Sequence, residues 1–160
     1  MQTVALLTGR GNNTLKDKNI REVCGRPLLA YPAEAARQSN LIDDFFVSSD
    51  DEKILSIAQD FGFKRIKRPA SLGRSDSKHV DVIRHALGVI KEKGVEPDIL
   101  VVLLANTVCV KTEWIDECLR EIVKHPTISA VVPVVLDVKR KNEDELLTFS
   151  IMPESVTQSG

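Results

Sequence analysis

The sequence predicts an α/β domain built on a mostly parallel sheet with helices on both faces. Three observations carry this. Strand-like and helix-like segments alternate along the chain, the strands read as nearly continuous apolar runs, and the helical segments each gather their apolar residues on one face.

The elements follow in order. Thr3 to Leu7 reads as a buried strand that breaks into "TGRGNNTLKDKN", a stretch of glycine, amides and cations. "PLLAYPAEAARQSN" places Leu28, Leu29, Ala33, Ala35 and Ala36 on one broad helical face, with Pro32 in the first turn or bending the entry. "DDFFVSSD", Asp43 to Asp50, is a second strand, and Asp50 is placed either to meet a ligand at the strand end or, the preferred reading, to cap the next helix. That helix, "DEKILSIAQDFG", aligns Ile54, Ile57, Ala58 and Phe61 and stops at Gly62. "FKRIKR" adds a short strand. A helix from about Lys78 to Lys93 precedes a third main strand, Ile99 to Ala105, and another helix from Thr112, its expected N-cap, to His125. "ISAVVPVV", Ile128 to Val135, reads as the fourth main strand, with Pro133 marking an edge or a bulge. Residues 1–136 thus form the expected core, and 137–160 a polar tail or a truncated remnant of a further part.

With 160 residues, 42% of them hydrophobic and 28% charged, the chain can bury one substantial core but not two. A formal net charge of -1 gives no broad field for nucleic acid or an anionic membrane, so any bound anion must be met by local cations. No apolar stretch approaches the roughly 20 residues that span a bilayer, and no leader pattern is visible; a soluble cytoplasmic protein is expected. Cys24, Cys109 and Cys118 show no ligand spacing and read as reduced packing residues. His79, His85 and His125 show no metal pattern and read as structural or solvated. Asp81 and His85, four apart on one helix face, either bond each other or pack inward.

The segment after Thr8 lies at the carboxyl end of a strand, where open α/β sheets bind ligands. Arg10 could fork onto phosphate oxygens, Lys18 could add a mobile charge, and amides around Gly9, Gly11 and Asn12 could complete a cradle. The same residues also suit an exposed turn with incidental charges. GxxxxGK[ST] is not present, GxGxxG fails at Thr14, and the lone tyrosine, Tyr31, has no lysine at the return a short-chain dehydrogenase needs.

Several separated motifs then agree in order and spacing. "GRG", "KNIREVCGRPLLAYPAEAA", "VSSDDEKILSIAQDFG", "RPASL", "DVIRHAL" and "DILVVLLANTVCVKTEWID" together resemble the CMP-sialate synthetases, or acylneuraminate cytidylyltransferases, from about Val4 to Val135. The resemblance implies a three-layer nucleotidyltransferase (Rossmann-like) fold, here C-terminally short. It also implies transfer of CMP from CTP to a nine-carbon 2-keto-3-deoxy sugar acid of the sialic (nonulosonic) type, with Mg²⁺ and release of pyrophosphate. A homodimer or larger assembly is expected through the region from about Ile128, where Val131, Val132, Val134 and Val135 would leave an apolar edge. By the resemblance, Arg10 and Lys18 would hold the triphosphate, Asn19 would touch the nucleotide, and backbone amides of Gly9, Gly11, Asn12 and Asn13 would surround phosphate. Arg68 would help bind cytosine, with the loop of Gly73, Ser75 and Ser77 closing on the base; otherwise Arg68 is an ordinary surface arginine beside Lys67.

The sequence departs from the family at three points. Arg10 is followed by "GNNT" where the family has RxGSK before its KN pair, the stretch before Lys18-Asn19 being about one residue shorter here, and "ANTVCVK" replaces "QPTSPLR". Ala105 therefore stands where the family places an acceptor-side amide, although Thr107 is kept. Third, the aspartate pair that the family uses for Mg²⁺ has no counterpart by position, so metal ligands are left unassigned. These departures raise the alternative of a catalytically weak or inactive nucleotide-binding remnant with a structural or regulatory role.

Overall fold

The computed structural model describes residues 1–11 and 15–133. The chain divides into two units, Met1–Thr112 and Glu113–Gly160. In the first, β1 (Thr3–Thr8) leads through a polar loop and a short 3-10 turn (Lys18–Ile20) to a small hairpin of β2 (Glu22–Val23) and β3 (Arg26–Pro27). Then come α1 (Ala30–Arg37), β4 (Asp44–Ser49), α2 (Glu52–Asp60), β5 (Lys64–Lys67), a second 3-10 turn (Ala70–Leu72), α3 (His79–Glu92) and β6 (Ile99–Leu104). Helix α4 (Thr112–Lys124) starts at the boundary, and its stripe of Ile115 and Leu119, four apart, is buried.

The main sheet is parallel throughout and ordered β5-β4-β1-β6. Alternation along the strands sorts the core into two layers. Val4, Leu6, Phe46 and Ile66 face Ala86 and Ile90 of α3. On the other side Phe45 meets Phe63 edge to face at 5.5 Å, with the Arg37 guanidinium of α1 over the Phe45 ring. Each fully buried large side chain, such as Phe46 or Leu6, contributes about 1.5 to 3 kcal/mol. The expected three-layer, mostly parallel α/β architecture is borne out.

Chain order sets the place of the site. From β1 the chain moves to β4 and β5 on one side, then returns through α3 to β6 on the other. The reversal falls between β1 and β6, and their carboxyl ends, Thr8 and Leu104, open a crevice there.

Several expectations are corrected. Residues 128–133 form no strand, and Val134 and Val135 lie outside the described residues. The sheet's fourth strand is β5, the short "KRIK" run, while Ile128 donates its amide to His125 in a turn and Pro133 has no amide to offer a ladder. The α2 cap is Asp51, not Asp50: its carboxylate accepts the Lys53 and Ile54 amides at 2.7 and 3.4 Å. Helix α1 is shorter than its pattern because Arg26 and Pro27 pair with β2, though Pro32 does sit in the first turn. Thr112 is the first residue of α4, and its hydroxyl donates to Ala35 O of α1 at 2.9 Å. The cysteines are all free, but Cys24 and Cys109 are exposed rather than packed. Asp81 pairs with Arg84, while His85 Nδ1 is buried without a hydrogen-bond partner.

Gly62 ends α2 as expected. At φ 82° it donates to Gln59 O, and Phe63 donates to Ala58 O, the paired bonds of a Schellman stop. The space beside Gly62 is open to 3.6 Å, so the constraint is backbone conformation alone. Gly62→Ala is expected to lower unfolding free energy by roughly 1 to 2 kcal/mol in urea titration, with the fold unchanged by circular dichroism.

Candidate functional site

The crevice holds a cavity of about 280 Å³. Its floor is the end of β1 and its walls are the Lys18 turn, the end of β5, the loop before α3 and the end of β6. Of the residues named from sequence, Gly9, Arg10, Lys18, Asn19, Arg68 and Ser77 line it together. Of the wall cations, Arg10 and Lys18 come from the segment after β1 and Arg68 from the end of β5, far along the chain. Arg74 adds a fourth and is itself paired with Asp76 through two contacts of 3.0 and 3.1 Å. A chain of nearly neutral net charge thus concentrates positive potential in one concave place, which suits a polyanion.

Each side chain is held by a local cause. The Gly9 amide donates to Ser48 O at 3.2 Å, so β1 continues its pairing with β4 for one residue beyond the strand. A Cβ at Gly9 would stand 3.1 Å from Ala105 Cβ and 3.3 Å from an Ile54 methyl, which keeps this position small. Asn19 is buried, donates its amide to Arg10 O at 2.8 Å and accepts the Leu29 amide, so it fixes the glycine loop against the start of α1. Arg10 Nη1 donates to Arg74 O at 3.0 Å. The Lys18 ammonium forms no ion pair among the described residues.

Arg68 is not a surface residue. It is 5% exposed, its amide donates to Ser49 O, and its guanidinium donates to Ser48 O at 2.8 Å and reaches Ser48 Oγ at 3.4 Å. Burial lowers its pKa, the Asp50 carboxylate raises it, and the Arg10 cation lowers it again. Two of five donors being used within the chain, the rest of the fork remains available at the cavity wall.

The other named residues are placed differently. Gly11 donates to Asp50 Oδ1 at 3.1 Å, and a Cβ there would stand 2.5 Å from Asp51 Cβ, so no other residue fits without backbone movement. Gly73 packs on the other side of Asp50. Ser75 is exposed, and Ser77 donates its hydroxyl to Ser71 O, tying the 73–77 loop to the second 3-10 turn. Ala105 is buried under Gly9, and Thr107 lies off the cavity in a turn to Leu104 O. Asn12 and Asn13 lie outside the described residues.

Sequence reasoning missed two residues here, Asn106 and His79, and preferred for Asp50 a capping role that Asp51 performs. Asn106 puts an amide on the wall one position after Ala105. Asp50 turns toward the glycine loop because the adjacent Asp51 does the capping. His79, read as solvated or structural, opens α3 at the cavity. Thr8 Oγ1 lies 3.2 Å from Leu103 O, to which it can donate, and 3.1 Å from His79 Nε2. No single motif flags such contacts, since each depends on a strand end and a distant helix start meeting.

Desolvation first, and then the Arg68 cation, lowers the His79 pKa. The unfolded chain therefore binds this proton more readily, and the stability that the neutral ring contributes is present above about pH 6.5 and is lost as pH falls toward the folded-state pKa. A titration of the ring by NMR is expected to show a midpoint below the ordinary value of about 6.5, and His79→Gln should flatten the loss of melting temperature on that acid side.

Among the described residues no three or more His, Cys, Asp or Glu side chains converge on a point that could hold a metal ion. No described helix is long and apolar enough to cross a membrane.

Comparison with known proteins agrees with the geometry. The sequence is 33% identical over 87 residues to an N-acylneuraminate cytidylyltransferase of Escherichia coli O18:K1:H7, covering 54% of this chain and 21% of that protein. It is 28% identical over 96 residues to a pseudaminic acid cytidylyltransferase of Campylobacter jejuni, covering 59% and 41%. The chain thus spans less than half the length of these relatives. In fold it is similar to a CMP:2-keto-3-deoxy-manno-octonic acid synthetase solved in complex with CTP, with a TM-score of 0.66 at 20% identity over 80% of this chain and 50% of that one. The likeness to acylneuraminate cytidylyltransferases read in the sequence is borne out. The family model described as cytidylyltransferase matches residues 9–150, most of the chain, and the protein belongs to that cytidylyltransferase family.

Proposed function

We propose that this chain binds CTP in the β1/β6 crevice and transfers CMP to a 2-keto-3-deoxy sugar acid of the nonulosonic type, releasing pyrophosphate. The single observation that carries the reading is the convergence of Arg10, Lys18 and the buried Arg68 on one cavity at the carboxyl end of β1. The names of relatives support a sugar acid as acceptor and include N-acylneuraminate, pseudaminic acid and 3-deoxy-manno-octulosonate cytidylyltransferases; the nonulosonic choice rests on the motif resemblance in the sequence.

Attack of the anomeric hydroxyl on the α-phosphorus is an in-line displacement: the new bond to the sugar oxygen forms as the bond to the bridging oxygen breaks, and pyrophosphate leaves. Positioning and charge neutralisation dominate such a transfer. Arg10 and Lys18 would neutralise the phosphates, with the Gly9 loop admitting them closely. Asn19 would act by holding Arg10 O and so the loop. Arg68 would present its unused donors to the base edge, in an orientation fixed by Ser48. Neutral His79 and Asn106 would offer polar contacts without adding charge. Mg²⁺ belongs to the proposal as the companion of the triphosphate, and no step is assigned to it.

Pyrophosphate release on mixing the chain with CTP, Mg²⁺ and a panel of nonulosonic acids, with 3-deoxy-manno-octulosonate as the eight-carbon control, tests this directly. CTP binding without turnover on any acid would instead favour the nucleotide-binding remnant. In calorimetry CTP should bind more tightly than UTP or ATP, by on the order of tenfold, since an unmatched base edge leaves buried polar groups unpaired. Arg68→Ala should erase most of that preference, whereas Arg10→Ala should weaken all triphosphates alike, by about tenfold or more, because a lost charged phosphate contact carries no base information. Equal binding of all bases by the wild-type chain would refute the assignment of Arg68.

A further inference from the structure

Asp50 stands where the two loops around the cavity approach each other, and α2 does not need it, because Asp51 is the cap. On one side, Oδ1 accepts the Gly11 amide at 3.1 Å. On the other, the Gly73 backbone lies so close that a Cβ there would be 2.7 Å from Oδ2, 2.9 Å from Cγ and 3.1 Å from Cβ of Asp50. Gly73 has φ -89°, which any residue adopts, so glycine is needed there for space alone. One short side chain therefore bonds the glycine loop and fills the contact with the 73–77 loop. Its own backbone is tied down: Lys67 Nζ donates to Asp50 O at 3.0 Å, and Lys67 also pairs with Glu52.

We propose that Asp50 is a positioning residue that couples the phosphate end of the cavity to the base end. The inference rests on the reading of the cavity as a CTP site. A phosphate group that draws the Gly11 amide inward moves the hydrogen-bonded carboxylate, and the carboxylate moves the backbone at Gly73 that rests on it. Arg10, bonded to Arg74 O, is a second tie between the same loops, so loss of Asp50 weakens the coupling without removing it. The role requires an acceptor at Oδ1 and a small planar group at Oδ2. An asparagine supplies both, and an alanine supplies neither.

The test uses cytidine and inorganic pyrophosphate as separate probes of the two ends, titrated alone and in the presence of the other, with CTP as the reference ligand. In the wild-type chain each probe should raise affinity for the other by roughly tenfold, an ordinary size for coupled sites. Asp50→Ala should reduce that factor to about twofold, while Asp50→Asn should keep it. Gly73→Ala should also lower it, since the added methyl must push the carboxylate off the Gly11 amide. In the double variant the methyl should have little further effect, because Oδ2 and Cγ, the atoms at 2.7 and 2.9 Å, are gone and only Cβ remains, at 3.1 Å. Gly73→Ala retains Asp50 and serves alone if Asp50→Ala does not fold in circular dichroism. Coupling that is undiminished in Asp50→Ala and Gly73→Ala, or lost equally in Asp50→Asn, overturns the role of Asp50 while leaving the CTP site intact. A wild-type coupling factor of one also overturns it, and wild-type chain that binds no CTP overturns the function and this role together.

Discussion

The carbonyl oxygen of Ser48 is the point on which the site depends. It accepts the Gly9 amide from the end of β1 and the Arg68 guanidinium from the end of β5. Three neighbouring strands are thereby referenced to one atom that is itself fully buried in β4. A cation as buried as Arg68 is costly unless its donors are satisfied. The β4 carbonyl and hydroxyl meet part of that demand, and the nearby Asp50 carboxylate supports the charge. What remains of the fork is held in one orientation at a cavity wall, which is the pre-organisation that recognition of a planar, polar ligand edge requires.

The second constraint is steric. Gly11 has Asp51 beneath it, Gly73 has Asp50 beside it, and Gly9 has Ala105 and Ile54 against it. The aspartate pair at the end of β4 therefore acts as a packing surface for two backbone loops as well as a cap for α2. Adjacent identical residues perform different tasks because the chain turns between them: Asp51 faces forward into the helix amides, and Asp50 faces sideways toward the backbone of Gly11 and Gly73.

Electrostatics complete the picture. The chain carries nearly balanced charge, yet much of it is consumed in exposed pairs such as Lys67 with Glu52 and Lys124 with Glu121, which contribute little to stability. The cations at the crevice differ in that they converge from the loop after β1, the 3-10 turn, the end of β5 and the loop before α3. Their field adds at one place because the sheet order brings those ends together at the reversal between β1 and β6.

The sequence alone determined the class of fold, since alternating apolar runs and amphipathic helices are local patterns that burial must satisfy in a layered parallel sheet. It also determined that Gly9, Arg10, Lys18, Asn19 and Arg68 belong together, because their motifs recur in a known order. It misread Ile128–Val135, where apolar character resembled a strand but the first six residues form none, and it read "KRIK" only as a possible minor strand although its central Ile66 is a core residue. Burial of a single face leaves too weak a pattern in four residues for the sequence to rank them. Only the tertiary structure decided that Arg68 is buried, that Asp51 rather than Asp50 caps α2, and that His79 and Asn106 reach the cavity. These are consequences of which strand ends lie side by side, and that adjacency is set by long-range sheet pairing, to which no local stretch of sequence is sensitive.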